Sequence, residues 1–537
     1  MKLALFSATI YTGSQHSLWA EALLIEDNRI AAVGNTADIE QLMDSRTRFL
    51  SLPGRLITPG LVDGHCHFVN QGVLLQRVDL RGTVSLGSCQ EKISQTVKAT
   101  APGDWIVGRG WDQHRWPEGR EPTAKDLDAL TPDHPIMMTR VCGHSIWVNS
   151  LALSIAGITA DTPDPPGGYI EKDPATNEPT GIIRESFEMI TSCLPCMKPE
   201  NMRKAALAAQ KEALSLGITA VHTCEGLPEW QVLSQMETDG HLKIRVYHLL
   251  HPEDVEAADA GDIHPDFPRD HLWFNHVKLY ADGSLGSGTA YLHAPYEGEP
   301  DNCGIPFLSL SQLQEKIEYA YGRNCNVAIH AIGDRAVTNC LQAIGNARSK
   351  YPGPHRDRIE HVQLFRPDDL ELFRKLEITA SVQPVFLLSD KEVATLKWGR
   401  QRCRYAYAWK TLLDDGIRIQ FGSDAPVEPI NPLLGIQAEL QRSAVSSRKS
   451  DDWVTHGSLT LPECISACTL QPAWTSNREN DLGTIEPGKL ADLTVFHQNL
   501  FQVPAAGWHD IEVDLTIVNG EIVFQKAPYP ALRKITI

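Results

Sequence analysis

Two histidines separated by one residue are the first feature of this sequence that could do chemistry. His65 and His67 close a predicted strand. Residues at positions i and i+2 of a strand share a face, so both imidazoles can bind one metal ion while Cys66 points away. With 20 histidines in 537 residues, chance alone supplies roughly one such pair. The pair by itself does not distinguish a metal site from two ordinary histidines.

Further candidate ligands stand at the ends of other predicted strands. His330 ends the fifth strand of the series described below, His361 the sixth and Asp424 the eighth. With His65 and His67 they supply four imidazoles and one carboxylate, a ligand set that suits zinc or a similar divalent ion. A single histidine of this kind is more often a core residue. Because all five of these groups stand at strand ends, the set as a whole predicts a metal site.

Lys278 is the other chemically unusual residue, because it stands in the middle of an apolar strand. A buried ammonium group costs on the order of several kcal/mol unless it is paired or chemically changed. Two explanations are open. One is a salt bridge, for which Asp282 on the same face is the candidate partner. The other is a neutral amine, its pKa lowered by nearby cations, that reacts with carbon dioxide to give an anionic oxygen ligand able to bridge two metal ions.

These residues require a scaffold that brings several strand ends together, and the middle of the chain predicts one. Apolar strands alternate with helical stretches there, which is typical of a parallel α/β sheet. Eight such units between about residues 56 and 470 predict an α/β fold, a (β/α)8 TIM-type barrel with its chemistry at the C-terminal strand ends. The predicted strands are Leu56–His67, Ile218–Glu225, Ile244–Leu250, Trp273–Asp282, Val327–Gly333, Ile359–Gln363, Ile378–Gln383 and Ile417–Asp424.

The two ends of the chain consist instead of short strands separated by turns, including a hairpin turn at Asn519-Gly520. We therefore predict that residues 1–58 and 480–537 form one composite β-sandwich domain, and that residues 59–479 form the barrel. The segment from about 70 to 200 is too long for one crossover between strands. It is predicted to be an α+β insertion after the first barrel strand.

Composition narrows the class of function. The chain is 42% hydrophobic and 22% charged, which is typical of globular proteins. Its 49 basic and 67 acidic residues give a net charge of −18, the wrong sign for binding nucleic acid or an anionic membrane. No run of about 18 apolar residues is present, so no spanning helix is expected. Twelve cysteines are too few for a disulfide scaffold and favour reduced thiols in the cytoplasm.

Several further motifs accompany the candidate ligands along nearly the whole chain. In chain order the set comprises Thr58 to His67, Gly110 to Asp112, Pro122-Thr123, Gly143 to Ser145, Lys278 to Gly286, His330 to Asp334, Glu360-His361, Gln383-Pro384, Gly422 to Pro426 and Gly483 to Leu493. As a set these motifs are highly specific. They resemble the amidohydrolase superfamily, and more closely its amidohydrolase family 3 branch, which includes N-substituted formamide deformylases.

The resemblance implies a metal-dependent hydrolase with two ions per chain. In the family pattern, one ion is held by the first-strand histidines and Asp424, the second by His330 and His361, and carboxylated Lys278 bridges them. Zinc is the expected metal, with iron or manganese as alternatives. Asp424 is also the expected catalytic residue. It accepts a proton from the metal-bound water and returns it to the departing nitrogen, after hydroxide has attacked the substrate carbonyl.

The expected reaction is hydrolysis of a non-peptide C–N bond, an amide or N-formyl bond, in a small organic substrate. Deaminases of the superfamily often carry a glutamate three residues after the fifth-strand histidine, where this chain has Gly333. This difference favours amide hydrolysis over deamination of a purine or pyrimidine ring. Trp111, Asp112 and His144 in the insertion are predicted to bind substrate. Gln383, at the end of the seventh strand, is predicted to do so from its position at the barrel rim.

Two other hypotheses stay open. In the first, the enzyme holds one metal ion, Lys278 is unmodified, and the reaction is that of a deaminase or a cyclic-amide hydrolase. In the second, the chain is a non-catalytic metal-binding homologue, against which the intact ligand set argues. The expected partner is a small-molecule substrate, with neither nucleic acid nor membrane. A homodimer is expected because dimers are the commonest oligomers.

Overall fold

The centre of the molecule is a sheet of eight parallel strands, as seen in a computed structural model that describes residues 2–141, 144–165, 167–185, 187–259, 270–442, 457–527 and 533–534. The first to eighth barrel strands are Leu61–Cys66, Ile218–Thr223, Arg245–Leu250, Leu272–Tyr280, Asn326–Ala331, Arg358–His361, Thr379–Val382 and Ile419–Phe421. The end of the eighth strand reaches the first, because the backbone N–H of Asp424 donates to the carbonyl of His65 at 2.7 Å. The predicted TIM-type barrel is confirmed.

The predicted strand Leu56–His67 is in fact two strands. Leu56–Pro59 pairs antiparallel with Leu493–Phe496 in the terminal domain, whereas Leu61–Cys66 pairs with the second barrel strand. Gly60 lies at the break, against Thr219, whose Oγ1 would be 2.2 Å from a Cβ at that position. Only glycine fits this close approach to Thr219. The chain passes at this residue from the terminal domain's sheet to the barrel sheet.

Two sheets made from both ends of the chain form the composite sandwich. The five-stranded sheet has the order Arg533–Lys534, Arg48–Ser51, Lys2–Phe6, Ala22–Glu26 and Arg29–Gly34. The six-stranded sheet has the order Glu521–Gln525, Val513–Val518, Leu493–Phe496, Leu56–Pro59, Thr9–Tyr11 and Trp19–Ala20. Leu5 and Ile25 from one sheet share a buried core with Val495 and Ile517 from the other. A short helix, Thr36–Gln41, precedes Arg48–Ser51.

Helices follow the barrel strands along the chain. They are Leu227–Thr238, Pro252–Asp259, Leu310–Tyr321, Asp334–Lys350, Leu370–Lys375, Lys391–Arg402, Trp409–Asp414, Pro432–Leu440, Leu461–Ala467 and Leu470–Thr475, with 3-10 turns at Pro367–Asp369, Pro384–Leu388, Cys403–Tyr405 and Ala505–Asp510. Asp334–Lys350 buries Val337, Leu341 and Ile344, whose spacing of three and four residues places them on one side of the helix. None of the helices described is long and apolar enough to cross a bilayer.

The insertion, residues 73–201, is a compact unit separate from residues 1–72 and 202–537. Its mixed sheet has the order Tyr169–Lys172, Pro179–Arg184, Ser145–Val148, Ile136–Arg140, Ile106–Trp111 and Val78–Asp79. Its helices are Leu86–Ala99, Ala124–Asp128, Ser150–Ile155 and Glu188–Thr191, with a 3-10 turn at Gln113–Arg115. The helices Phe68–Gln76 and Pro199–Ser215 connect this unit to the rest of the chain. The boundary between sandwich and barrel at residues 58 and 480 stays a prediction.

Candidate metal centre

Three predicted ligands meet where the first and eighth barrel strands end. Nε2 of His65 lies 3.5 Å from Oδ1 of Asp424, and Nε2 of His67 lies 3.4 Å from the same oxygen. One ligand atom from each residue lies within 4.8 Å of the other two. Two imidazole nitrogens and a carboxylate oxygen at these separations can bind one divalent cation.

The other two predicted histidines extend the same cluster. The ring centroid of His361 is 5.0 Å from that of His65 and 4.4 Å from that of His330. The structure therefore brings together all four histidines predicted to be metal ligands, in the order in which the barrel strands present them.

In each of the four rings, one nitrogen donates a hydrogen bond to a fixed oxygen. The contacts are His65 Nδ1 to Glu360 Oε2 at 2.5 Å, His67 Nδ1 to the Cys224 carbonyl at 3.0 Å, His330 Nε2 to the Gly283 carbonyl at 3.0 Å and His361 Nδ1 to Gln383 Oε1 at 2.8 Å. These oxygens accept, so the nitrogen that faces each of them carries the proton. In the neutral form of each ring, the other nitrogen keeps its lone pair for a metal ion, as in most metal-binding histidines.

The electrostatics also suit a cation. Burial, together with the charge on Lys278, lowers the pKa of His330 to about 4. Burial and the neighbouring His330 hold the pKa of His361 well below its ordinary value, so both rings are neutral near pH 7. Burial acts against a charge on His65, but Cys224, Glu360 and Asp424 outweigh it and raise the pKa of His65. The surroundings that raise the pKa of His65 thus favour positive charge where the ligand atoms of His65, His67 and Asp424 converge.

A family model described as the amidohydrolase family matches residues 48–524, which include every residue of this cluster. The chain belongs to the amidohydrolase family. That family implies a divalent metal ion.

Individual relatives and solved structures agree with this assignment. The amidohydrolase is 32% identical to "Putative amidohydrolase YtcJ" of Bacillus subtilis, over 98% of this chain and 100% of that one. It is 23% identical to the N-substituted formamide deformylase of Arthrobacter pascens, over 98% of both chains. An uncharacterized metal-dependent hydrolase from Pyrococcus horikoshii OT3 superposes with a TM-score of 0.79 at 27% identity, covering 94% of this chain and 99% of that one.

Lys278 of this amidohydrolase is 1% exposed, and its Nζ lies 5.2 Å from the ring centroid of Tyr280. Within the described part of the chain, no carboxylate oxygen comes within ion-pair distance of Nζ. The expected salt bridge to Asp282 is therefore wrong. The oxygens of Asp282 accept instead from the backbone N–H groups of Tyr291, Ile332 and Gly333, at 2.8, 3.0 and 2.8 Å. The buried amine consequently still needs another explanation.

The backbone at two of the predicted ligands departs from the extended conformation. His361 has a φ of 75° and Asp424 a φ of 60°, in the left-handed region that is rare for residues with a side chain. Successive residues of a regular strand point to opposite faces. Because His361 leaves the extended conformation, its ring and the Glu360 carboxylate can both contact the histidine cluster.

Asp63 ties the ends of the first and eighth barrel strands together. Its Oδ1 accepts from the backbone N–H groups of His65 at 3.1 Å and Ser423 at 2.9 Å, and its Oδ2 accepts from the Ser423 hydroxyl at 2.5 Å. Burial raises the pKa of Asp63 to about 6. The contacts hold His65 in place, and they fix the residue that precedes Asp424.

Two functional neighbours were missed by sequence reasoning. Glu360 is fully buried against His65, but regular strand alternation would place it on the face opposite His361. Cys224 follows the second barrel strand, and its Sγ lies 3.7 Å from Nε2 of His65. Its place at the C-terminal end of a barrel strand was the only available signal.

Gln383 is buried against His361, so its side chain is not exposed at the barrel rim. Its Oε1 accepts from His361, its Nε2 donates to the Ser381 carbonyl at 3.2 Å, and only 2% of the residue is exposed. This differs from the expected substrate contact. Gln383 orients the His361 ring, because its carbonyl group determines which nitrogen of His361 is protonated.

The insertion residues predicted to bind substrate occupy three different environments. Trp111 is fully buried in the core of the insertion, and its Nε1 donates to the Met138 carbonyl at 2.8 Å, so the structure gives its predicted substrate contact no support. Asp112 is 3.5 Å from Arg140, and the exposed His144 is 3.0 Å from Glu185. Substrate binding by Asp112 and His144 stays a prediction. Gly143, from the same motif as His144, lies outside the described residues.

Proposed function

We propose that this amidohydrolase hydrolyses an amide or N-formyl C–N bond, other than a peptide bond, in a small organic substrate. The observation that carries the proposal is the cluster of four imidazoles beside Asp424, each with one ring nitrogen fixed by an acceptor and the other available to a cation. The relative from Arthrobacter pascens, named for deformylation of N-substituted formamides, supports this class of bond.

The residues present fit two divalent cations. His65, His67 and Asp424 would hold one, and His330 with His361 would hold the other. When bound, such ions act as Lewis acids that acidify water and polarise a carbonyl group. Zinc suits nitrogen and oxygen ligands of this kind, and iron or manganese are the alternatives.

Carboxylation of Lys278 is the explanation of its burial that we propose. A neutral amine adds to carbon dioxide, forms an N–C bond and releases a proton, which leaves a carbamate anion in place of an ammonium group. Burial lowers the pKa of Lys278, but Cys224, Glu360 and other nearby groups outweigh it and raise that pKa above its ordinary value. Bound cations would lower the pKa again and so favour the neutral amine. The bridging role of the carbamate rests on the family pattern.

Asp424 is proposed to carry the proton. Its Oδ1 lies between the Nε2 atoms of His65 and His67, beside the position where water would be activated. The carboxylate accepts a proton as the water oxygen bonds to the substrate carbonyl carbon. It then gives that proton to the nitrogen as the C–N bond breaks, so that an amine and a carboxylic acid leave.

Two observations favour amide hydrolysis over deamination of a ring. A Cβ at position 333 would lie 2.1 Å from the backbone oxygen of Tyr291, so no side chain fits where deaminases of the superfamily often carry glutamate. Glu225 lies just after the second barrel strand and could take the place of that glutamate, but it accepts from the backbone N–H groups of Val69 at 3.0 Å and Asn70 at 2.8 Å. Its carboxylate thus caps the start of a helix.

A substrate screen with zinc-loaded protein tests the proposal. N-formyl amines, N-acyl amino acids and cyclic ureas would be compared by measuring the released amine and carboxylate. We expect turnover of an N-formyl or N-acyl amine that is abolished by a chelator and restored by zinc. Turnover of cyclic ureas alone, or release of ammonia from an aminated ring, would instead support the mononuclear alternative.

A further inference from the structure

The partner of His65 differs in charge from the partners of the other three histidines. Those three donate to neutral carbonyl oxygens, whereas His65 donates to the carboxylate of Glu360. We propose that Glu360 and Arg358 are a positioning pair that strengthens the binding of a cation by His65. This inference rests on the proposed metal-dependent function.

Burial and pairing both indicate that Glu360 is ionised. Glu360 and Arg358 are each 0% exposed, and Nε of Arg358 lies 2.6 Å from Oε1 of Glu360. Nη1 of Arg358 lies 2.8 Å from Nδ1 of His222, so a second buried side chain contacts the guanidinium. A buried carboxylate is retained as an anion only when it is paired in this way. The negative charge behind His65 is therefore a fixed part of the barrel interior.

Comparison with His361 separates the effect of charge from that of orientation. Gln383 fixes the His361 ring through an amide oxygen at 2.8 Å, without any charge. A glutamine at position 360 could orient His65 equally well and would require no buried ion pair. A carboxylate adds something further, because it raises the basicity of the imidazole and so its affinity for a metal ion. The two charges buried at positions 358 and 360 thus have a role that orientation alone does not explain.

The test is the dissociation constant for Zn²⁺, measured by competition with a chromophoric chelator. Glu360→Gln keeps the hydrogen bond to His65 and removes the charge, so we expect its dissociation constant to rise about 10- to 100-fold. The visible absorption of the Co²⁺-loaded protein is a second readout, and we expect its band to shift because the ligand field of the ion changes.

A second variant distinguishes the loss of the charge behind His65 from misfolding caused by an unpaired buried arginine. Glu360→Gln alone leaves Arg358 buried without its partner, so Glu360→Gln combined with Arg358→Met removes both charges at similar volume. The same weakening of zinc binding is expected in the double variant. Glu479→Gln is the matched control, because Glu479 pairs with Arg356 at 2.7 Å and contacts none of the proposed metal ligands.

Zinc affinities of the single and double variants within twofold of wild type would overturn the inference. A loss of affinity equally large in Glu479→Gln would overturn it too, because the effect would then not be specific to the charge behind His65. A wild-type protein that binds no zinc is a different result. It would refute the proposed function, and this inference with it.

Discussion

At the scale of single residues, Asp424 carries the most specific part of the proposed chemistry. Asp424→Asn keeps an oxygen that can bind metal but removes the group that accepts a proton. We expect kcat to fall by about 10²- to 10⁴-fold while much of the metal stays bound. Steady-state kinetics and metal analysis on the same preparation check this. Retained turnover with a full metal load would remove the proton-transfer role of Asp424.

A site residue could be predicted from the sequence when its residue type and its position at a strand end were enough to indicate its chemistry. His65, His67, His330, His361 and Asp424 were found from residue type and strand position. Glu360 was not, because the left-handed φ of His361 that lets both side chains contact the cluster leaves no trace in the sequence pattern. Gln383 was found, but its partner could not be predicted, since a rim position does not show whether a side chain faces substrate or a ligand.

At the scale of secondary-structure elements, closure of the barrel between its eighth and first strands positions the cluster. A Cβ on Gly422 would lie 2.5 Å from the backbone nitrogen of His65, which cannot move without displacing that ligand. Gly422→Ala is therefore expected to lower stability by about 1–3 kcal/mol and to weaken zinc binding. Thermal unfolding and chelator competition measure the two effects.

Gly345→Ala is the control for this prediction. Gly345 lies inside helix Asp334–Lys350, and its Cβ would meet only Leu376, at 3.7 Å, an ordinary contact. We expect a gain in stability of up to about 1 kcal/mol, since alanine is the better helix former, and unchanged zinc affinity. If Gly422→Ala behaved in the same way, close packing of the two strand ends would not be what positions His65.

The strands themselves were predictable because periodicity and length distinguish buried parallel strands from their surroundings. The one error in the barrel strands, joining Leu56–Pro59 to Leu61–Cys66, has a tertiary cause. The residues on both sides of Gly60 are apolar and buried, so the sequence pattern does not show that they belong to different sheets. Only the close approach of Gly60 to Thr219 marks the boundary.

At the scale of the whole molecule, a buried ion pair joins the barrel to the sandwich formed by both termini. Nε of Arg245, in the third barrel strand, lies 2.6 Å from Oδ2 of Asp492, just before Leu493–Phe496. Asp492→Ala would leave the guanidinium buried without its partner. We expect a loss of about 3–5 kcal/mol in the free energy of unfolding, measured from urea midpoints of the metal-free protein.

A more exposed pair gives the comparison for Asp492. Asp481 lies 3.0 Å from Arg29, and the side chains of Arg29 and Asp481 are 48% and 33% exposed. Asp481→Ala is expected to change stability by less than about 1 kcal/mol. Equal midpoints for the two variants would show that the Arg245–Asp492 pair does not stabilise the junction. The pair could not be predicted, because its members are 247 positions apart in sequence.

The central claim is a pair of divalent cations held by the histidine cluster, Asp424 and a modified Lys278. Its most direct test is the zinc content per chain of wild-type protein, loaded in the presence of bicarbonate and freed of unbound metal. The account predicts close to two equivalents. One equivalent or less in a folded protein would contradict it.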